Sequence, residues 1–167
     1  MAEVAFKGSK VNTNGVLPKV GTLAPDFTGV KGDLSEITLR SLKGKRVILN
    51  VFPSLDTAVC AASVRRFNKE AASLANTVVL AISKDLPFAQ GRFCTTEGID
   101  GVVTVSAFRN ATFEDNYGML LIDGPLQGLL TRCVIVVDET GKIIYTELVS
   151  EITQEPNYEA AITSFIL

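Results

Sequence analysis

The sequence contains no histidine. That absence removes the Ser-His-Asp and Cys-His nucleophile pairs, together with every metal site built on imidazole. Cysteine is scarce: three in 167 residues, widely spaced and without a C-x-x-C pair, so neither a zinc site nor a thioredoxin-type redox motif is expected. No stretch is rich in one sign of charge. The 16 Lys and Arg against 18 Asp and Glu leave a net charge of -2, which argues against nucleic acid as a partner. Long apolar runs are missing too; Val78–Ile82 and Val134–Val137 fall far short of the roughly 20 residues of a membrane helix. Gly124-Pro-Leu-Gln-Gly128 lacks the spacing and the Lys-Ser/Thr ending of a phosphate loop, so nucleotide binding is set aside and no cofactor is expected.

What is present belongs to a folded protein: 47% hydrophobic and 20% charged residues, with only 6 prolines and no low-complexity tail. The length suits a single domain spanning 1–167. Met1–Lys7 alternates polar and apolar residues and lacks the basic start and apolar stretch of a secretory leader. The expectation is a cytoplasmic protein whose thiols are reduced at rest.

Along the chain, Val4–Phe6 and Lys10–Asn12 flank Gly8-Ser9, predicting an N-terminal hairpin over about 1–15. Pro18–Phe27 reads as loop, and the domain proper is expected to begin around Ile37-Thr38-Leu39 and the turn at Lys43-Gly44-Lys45. Val47–Phe52 is a continuous apolar run, as in a strand covered on both faces. From Ala58, the residues Val59, Ala62, Val64, Phe67, Ala71 and Leu74 recur at helical spacing. Thr77–Ile82, Val102–Val105, Cys133–Val137 and Ile143–Leu148 read as strands, with a turn at Asp138-Glu-Thr-Gly141. Leu86–Phe93, begun near Lys84 or Asp85, Thr112–Tyr117 and Tyr158–Ile166 read as helices. The pattern predicts an α/β protein, a mixed sheet with helices on both faces. Loops at Ser106–Asn110 and Asp123–Gly128 are candidate walls of a site.

Chemistry is concentrated where the apolar strand breaks at Pro53 and a helix starts, because Cys60 falls in that helix's first turn. If Asp56 or Thr57 caps the helix, free N–H groups and the dipole favour a thiolate there. Without histidine, the dipole and a nearby Arg are the available means of keeping sulfur ionised. On residues alone, Cys60 is equally a small buried side chain of an amphipathic helix.

The sequence resembles the thiol peroxidase subfamily of the peroxiredoxins, of the atypical two-cysteine type. Pro53, Thr57 and Cys60 fit its P-x-x-x-T-x-x-C pattern, and the likeness continues through Gly44-Lys45, Ser83-Lys-Asp-Leu-Pro-Phe-Ala89, Arg92-Phe-Cys94 and Ser106-Ala-Phe-Arg-Asn110. The resemblance implies a thioredoxin-like fold and an enzyme reducing hydrogen peroxide and alkyl or lipid hydroperoxides, in antioxidant defence. It makes Cys60 the peroxidatic nucleophile, Thr57 the group that orients peroxide and thiolate, and Pro53 a shield against water. Arg132 completes the site, where an always-charged guanidinium would stabilise thiolate and developing oxyanion. Cys94 becomes the resolving cysteine, closing an intramolecular disulfide that thioredoxin reduces, and a homodimer is implied. On residues alone Arg132 reads far more often as a surface ion pair, so its place here rests on the resemblance; Thr57 reads also as a helix cap and Cys94 as a buried thiol. Cys133, inside an apolar strand, is expected to pack.

Two residues in separate helices seldom meet the Cα spacing of roughly 7 Å that a disulfide needs. Local opening around Cys94 is therefore expected, helped by Gly91 and Gly98. Two other functions compete: a thiol-disulfide exchange protein acting on other proteins, which the missing C-x-x-C disfavours, and an interaction domain with incidental cysteines.

Overall fold

Apolar residues in unbroken succession cannot face water on either side, and Arg46–Val51 accordingly lies at the interior of a seven-stranded sheet, its last five residues buried. The computed structural model describes residues 1–71 and 74–165, the side chain of Ala71 excepted. Its strands are β1 Glu3–Phe6, β2 Ser9–Asn12, β3 Thr28–Lys31, β4 Glu36–Thr38, β5 Arg46–Val51, β6 Thr77–Ser83, β7 Val103–Ser106, β8 Cys133–Val137 and β9 Ile143–Leu148. Its helices are α1 Ala58–Ala71, α2 Pro87–Glu97, α3 Thr112–Tyr117 and α4 Tyr158–Thr163.

The sheet runs β4-β3-β7-β6-β5-β8-β9. Strands β5, β6 and β7 are parallel, as crossover helices require, while β3, β8 and β9 pair antiparallel to their neighbours. Two cores follow from the period-two alternation of side chains. One face packs Leu49, Val51, Leu80, Ile82 and Cys133 against Phe113 and Tyr117 of α3. The other packs Ile48, Val79 and Val134 against Cys60, Val64 and Phe67 of α1 and Tyr158 and Ala161 of α4. The expected mixed sheet with helices on both faces is thus observed.

Several boundaries differ from the sequence pattern. The sheet starts earlier than the expected Ile37-Thr38-Leu39, since β3 joins it through Val30 and Lys31 against β7. Three- and four-residue edge strands carry too little alternation to be read. Gly29 is needed there, because a Cβ would sit 2.2 Å from Cγ1 of Val105. Helix α2 runs to Glu97 and stops at Gly98, whose φ of 66° is left-handed and whose N–H reaches the Cys94 carbonyl. In α1, Arg65, Arg66 and Lys69 are exposed opposite buried Val64 and Phe67, as the periodicity requires. Ile166, the expected end of the last helix, lies outside the described residues; the helix itself begins with the Asn157 side chain accepting the N–H of Ala160.

The hairpin β1–β2 turns on Lys7 and Gly8, both at positive φ, and forms a separate two-stranded sheet. Glu151 clamps its tip: the carboxylate accepts the N–H groups of Gly8 at 2.8 Å and Lys7 at 3.3 Å, and of Thr153 at 3.0 Å. Those bonds to the charged form, led by the Thr153 N–H, hold Glu151 down to about 2. A carboxyl depressed on folding contributes fully above its ordinary range, and that contribution is lost as pH falls toward its folded value. Carboxyl titration by NMR should give Glu151 a midpoint of about 2, raised by Thr153→Ala, which keeps the N–H but removes the hydroxyl bond at 2.8 Å; a midpoint in the ordinary carboxylate range would contradict the clamp.

Candidate active site

Strand β5 delivers the chain to Phe52 and Pro53, both buried, and a short turn then redirects it into α1. The Thr57 carbonyl accepts the first α1 bond, from the Ala61 N–H at 3.0 Å. The N–H groups of Ala58, Val59 and Cys60 therefore precede the ladder, where the dipole is positive. The expected cap takes another form: the Thr57 hydroxyl donates to the Ser54 carbonyl at 3.0 Å, while Asp56 is exposed. Cys60, third residue of α1, is fully buried.

Two polar contacts hold this turn from behind. Asn50, the one polar side chain within the interior of β5, donates to the Ser63 hydroxyl at 3.2 Å, which donates to the Cys60 carbonyl at 2.8 Å. Asp85 accepts the Leu55 N–H and the Ser54 hydroxyl, each at 2.8 Å. Asp85 does not cap α2, as its position suggested; that helix starts with Leu86 as N-cap, without a side-chain bond, and Pro in its first turn. Both contacts were missed. An Asn inside an apolar run was the available signal for the first; nothing local pointed to the second.

Arg132 precedes β8 and is 2% exposed, which excludes a surface ion pair. Its Nε donates to the Ile152 carbonyl at 2.7 Å and its Nη2 to the Cys60 Sγ at 3.2 Å. Nη1 is buried without a hydrogen-bond partner, and among the described residues no carboxylate is recorded in ion pairing with this guanidinium. A buried cation is costly unless compensated. The sulfur of Cys60 is the side-chain group in hydrogen-bond contact with this cation, and Nη1 remains as an unused donor.

A pocket of about 300 Å³ reaches Arg132, lined by Pro53, Thr57, Ala58 and Val59 together with Arg132, Ile152 and Thr153; Cys60 itself is fully buried and does not line it. Phe6 and Lys7 of the hairpin tip and Leu126 complete it. Of the two loops expected to wall a site, Asp123–Gly128 contributes Leu126, whereas Ser106–Asn110 contributes nothing to this pocket. The pocket's apolar lining includes Phe6, Val59, Leu126 and Ile152; Phe52, Leu86 and Phe93, apolar residues near Cys60 and Cys94 in sequence, do not line it, Phe52 being fully buried and Leu86 exposed.

The other cysteines lie elsewhere. Cys94, half-buried on α2, contacts Thr104 of β7, and burial pushes its thiol up. Strands β7 and β8 stand three strand positions apart in the sheet order, about 14 Å at the usual spacing. Cys60 and Cys94 thus make their contacts with residues at different strands, and all three cysteines are free thiols. Cys133 faces the opposite core from Cys60, and burial pushes its thiol up strongly. The sheet separates it from the pocket despite its adjacency to Arg132.

The Redoxin family profile matches residues 19–162. A thiol peroxidase from Corynebacterium glutamicum is 54% identical over 164 residues, covering 98% of this chain and 99% of that protein. A thiol peroxidase from Mycobacterium bovis is 52% identical over 164 residues, covering 98% of each. Among solved structures, a peroxiredoxin-like protein from Aquifex aeolicus superimposes with a TM-score of 0.93 at 38% identity, over 99% of this chain and 97% of that one. Within the folded protein, Cys133 should resist alkylation by iodoacetamide at neutral pH while the half-buried Cys94 is modified; preferential labelling of Cys133, read by mass spectrometry, would contradict the burial described.

Proposed function

Since the chain belongs to the Redoxin family and is a peroxiredoxin of the thiol peroxidase type, we propose that Cys60 is its peroxidatic nucleophile and Cys94 its resolving cysteine. The observation that carries this is the Nη2 of buried Arg132 at 3.2 Å from the Cys60 sulfur. That contact sets a donated N–H and a fixed positive charge against the sulfur, in a chain with no histidine. The unused Nη1 faces no protein acceptor and is suited to a peroxide oxygen.

In the first step the sulfur lone pair attacks the distal oxygen of a hydroperoxide. The S–O bond forms as the O–O bond breaks; sulfur is oxidised to a sulfenic acid and the leaving oxygen, reduced and protonated, departs as water or alcohol. Arg132 stabilises the charge that develops on that oxygen. Thr57 and Pro53 line the pocket beside it, one supplying a hydroxyl, the other excluding water. In the second step the Cys94 sulfur displaces hydroxide from the sulfenic acid, its proton leaves with the hydroxide as water, and an intramolecular disulfide forms. A dithiol reductant of the thioredoxin kind then returns both thiols and is itself oxidised.

The apolar lining suits alkyl and lipid hydroperoxides alongside hydrogen peroxide. Antioxidant defence in the cytoplasm, where thiols stay reduced, accords with this chemistry. Leu86, Phe88 and Phe108 are exposed apolar side chains on two segments joined by the Ser106 hydroxyl bond to the Asp85 carbonyl; a homodimer would cover them.

Cys60→Ser should abolish peroxide turnover. Cys94→Ser should consume one equivalent and then stop, with thioredoxin unable to recycle it, and Cys133→Ser should turn over near normally. Arg132→Met should slow sulfenic acid formation by about a hundredfold or more. Steady turnover by the Cys60 variant, or a peroxide-induced disulfide between any other pair of cysteines, would overturn the assignment. Separately, sedimentation should show twice the chain mass, reduced to one by Phe88→Glu; a monomer in the unaltered protein would remove the dimer.

A further inference from the structure

We propose that Asp85 is a positioning residue that couples the turn presenting Cys60 to the docking of the Cys94 helix, a role that rests on the Cys60–Cys94 assignment above. The carboxylate bonds both segments at once. Toward the peroxidatic side it holds the Ser54 hydroxyl and the Leu55 N–H. Toward the resolving side its Oδ2 accepts the Ser83 hydroxyl at 2.7 Å, and Ser83 Oγ in turn accepts from Nε2 of Gln90 on α2 at 3.2 Å.

The direction of this chain is set by charge. An ionised carboxylate only accepts, so the single Ser83 proton points at Asp85 and the Ser83 lone pair is left for Gln90. An amide at position 85 has one acceptor oxygen and an NH2 group, and cannot serve all three donors.

Helix α2 leans on that chain. Its fully buried residues are Pro87 and Gln90, with Phe93 half-buried against the core that holds Cys60. Gln90 is fully buried, gives its Nε2 also to the Val105 carbonyl at 3.0 Å, and keeps an Oε1 with no partner. An unpaired buried oxygen opposes docking, so the bonds made by the Gln90 amide, beside the packing of Phe93, weigh in holding the helix in place. Between the turn and α2 lies a cleft of about 190 Å³, with Leu55 on one wall, Ala89 and Phe93 on the other and Asp85 at the junction. When oxidation of Cys60 alters the turn, Asp85 loses the Ser54 and Leu55 donors and takes up water. Water at Ser83 then competes with Gln90, and α2 is released with Cys94. Coupling of this kind is reciprocal: loosening α2 loosens the turn by the same factor.

The test is amide hydrogen exchange on the reduced protein carrying Asp85→Asn, with Ser83→Ala as a second variant that keeps the carboxylate and removes the relay. Both should speed exchange in α2 by about tenfold, the value of one lost hydrogen bond, while β5 and β6 stay as slow as in the unaltered protein. In a Cys94→Ser background, Asp85→Asn should also slow sulfenic acid formation by about tenfold through the displaced turn. Unchanged α2 exchange in the folded variants, or equal acceleration across β5 and β6, would overturn the coupling; if Asp85→Asn does not fold, Ser83→Ala decides. Failure of the unaltered protein to form a Cys60–Cys94 disulfide would instead overturn the underlying assignment, and it is read independently of the exchange.

Discussion

A guanidinium buried beside a thiol, with no carboxylate to neutralise it, is the constraint on which this architecture depends. Burial of Arg132 is tolerable only because each part of it that has a partner is held firmly: Nε by the Ile152 carbonyl and Nη2 by the Cys60 sulfur. The same shortage of compensation that makes the arrangement costly makes it chemically useful. A positive charge lacking a protein counter-ion is available to whichever group at that point becomes negative.

The surrounding elements serve to keep that pair in register. The Ile152 carbonyl is placed by a segment bonded to β1, through Ala5 and Ser150 and through Ile152 and Ala5, and Glu151 closes over the hairpin tip. The hairpin is thus continuous, bond by bond, with the arginine it lies near, and its Phe6 and Lys7 finish the pocket wall. Behind Cys60, the Asn50–Ser63 bond ties the centre of the sheet to the first turn of α1. The Asn50–Ser63 pair is only partly satisfied, since the Asn50 Oδ1 is buried without a partner, but its donated bonds fix the backbone at Cys60.

Against this rigid half, the Cys94 helix is lightly attached. It presents few buried side chains to the sheet, and its cysteine touches β7 rather than the pocket. The contrast is between a Cys60 turn tied by several side-chain bonds and a Cys94 helix with only two fully buried residues.

Much of this was legible in residue order. Long apolar runs and helical spacing, from Val47 to Leu80, are dictated by burial acting on neighbours in the chain, so the central strands, α1 and the position of Cys60 in a helix's first turn follow from sequence alone. The absence of histidine likewise restricts the chemistry before any coordinates are seen. Short edge strands such as β4 and the longer reach of α2 were not legible, because three residues carry no period and a glycine stop acts through local backbone geometry. Least visible were the partners of Arg132 and Asp85, joined across intervals of 72 and 30 residues. Local patterning records which residues avoid water; which buried charge meets which sulfur is decided only when the sheet order brings distant segments together, since a hydrogen bond depends on distance in space and carries no mark along the chain.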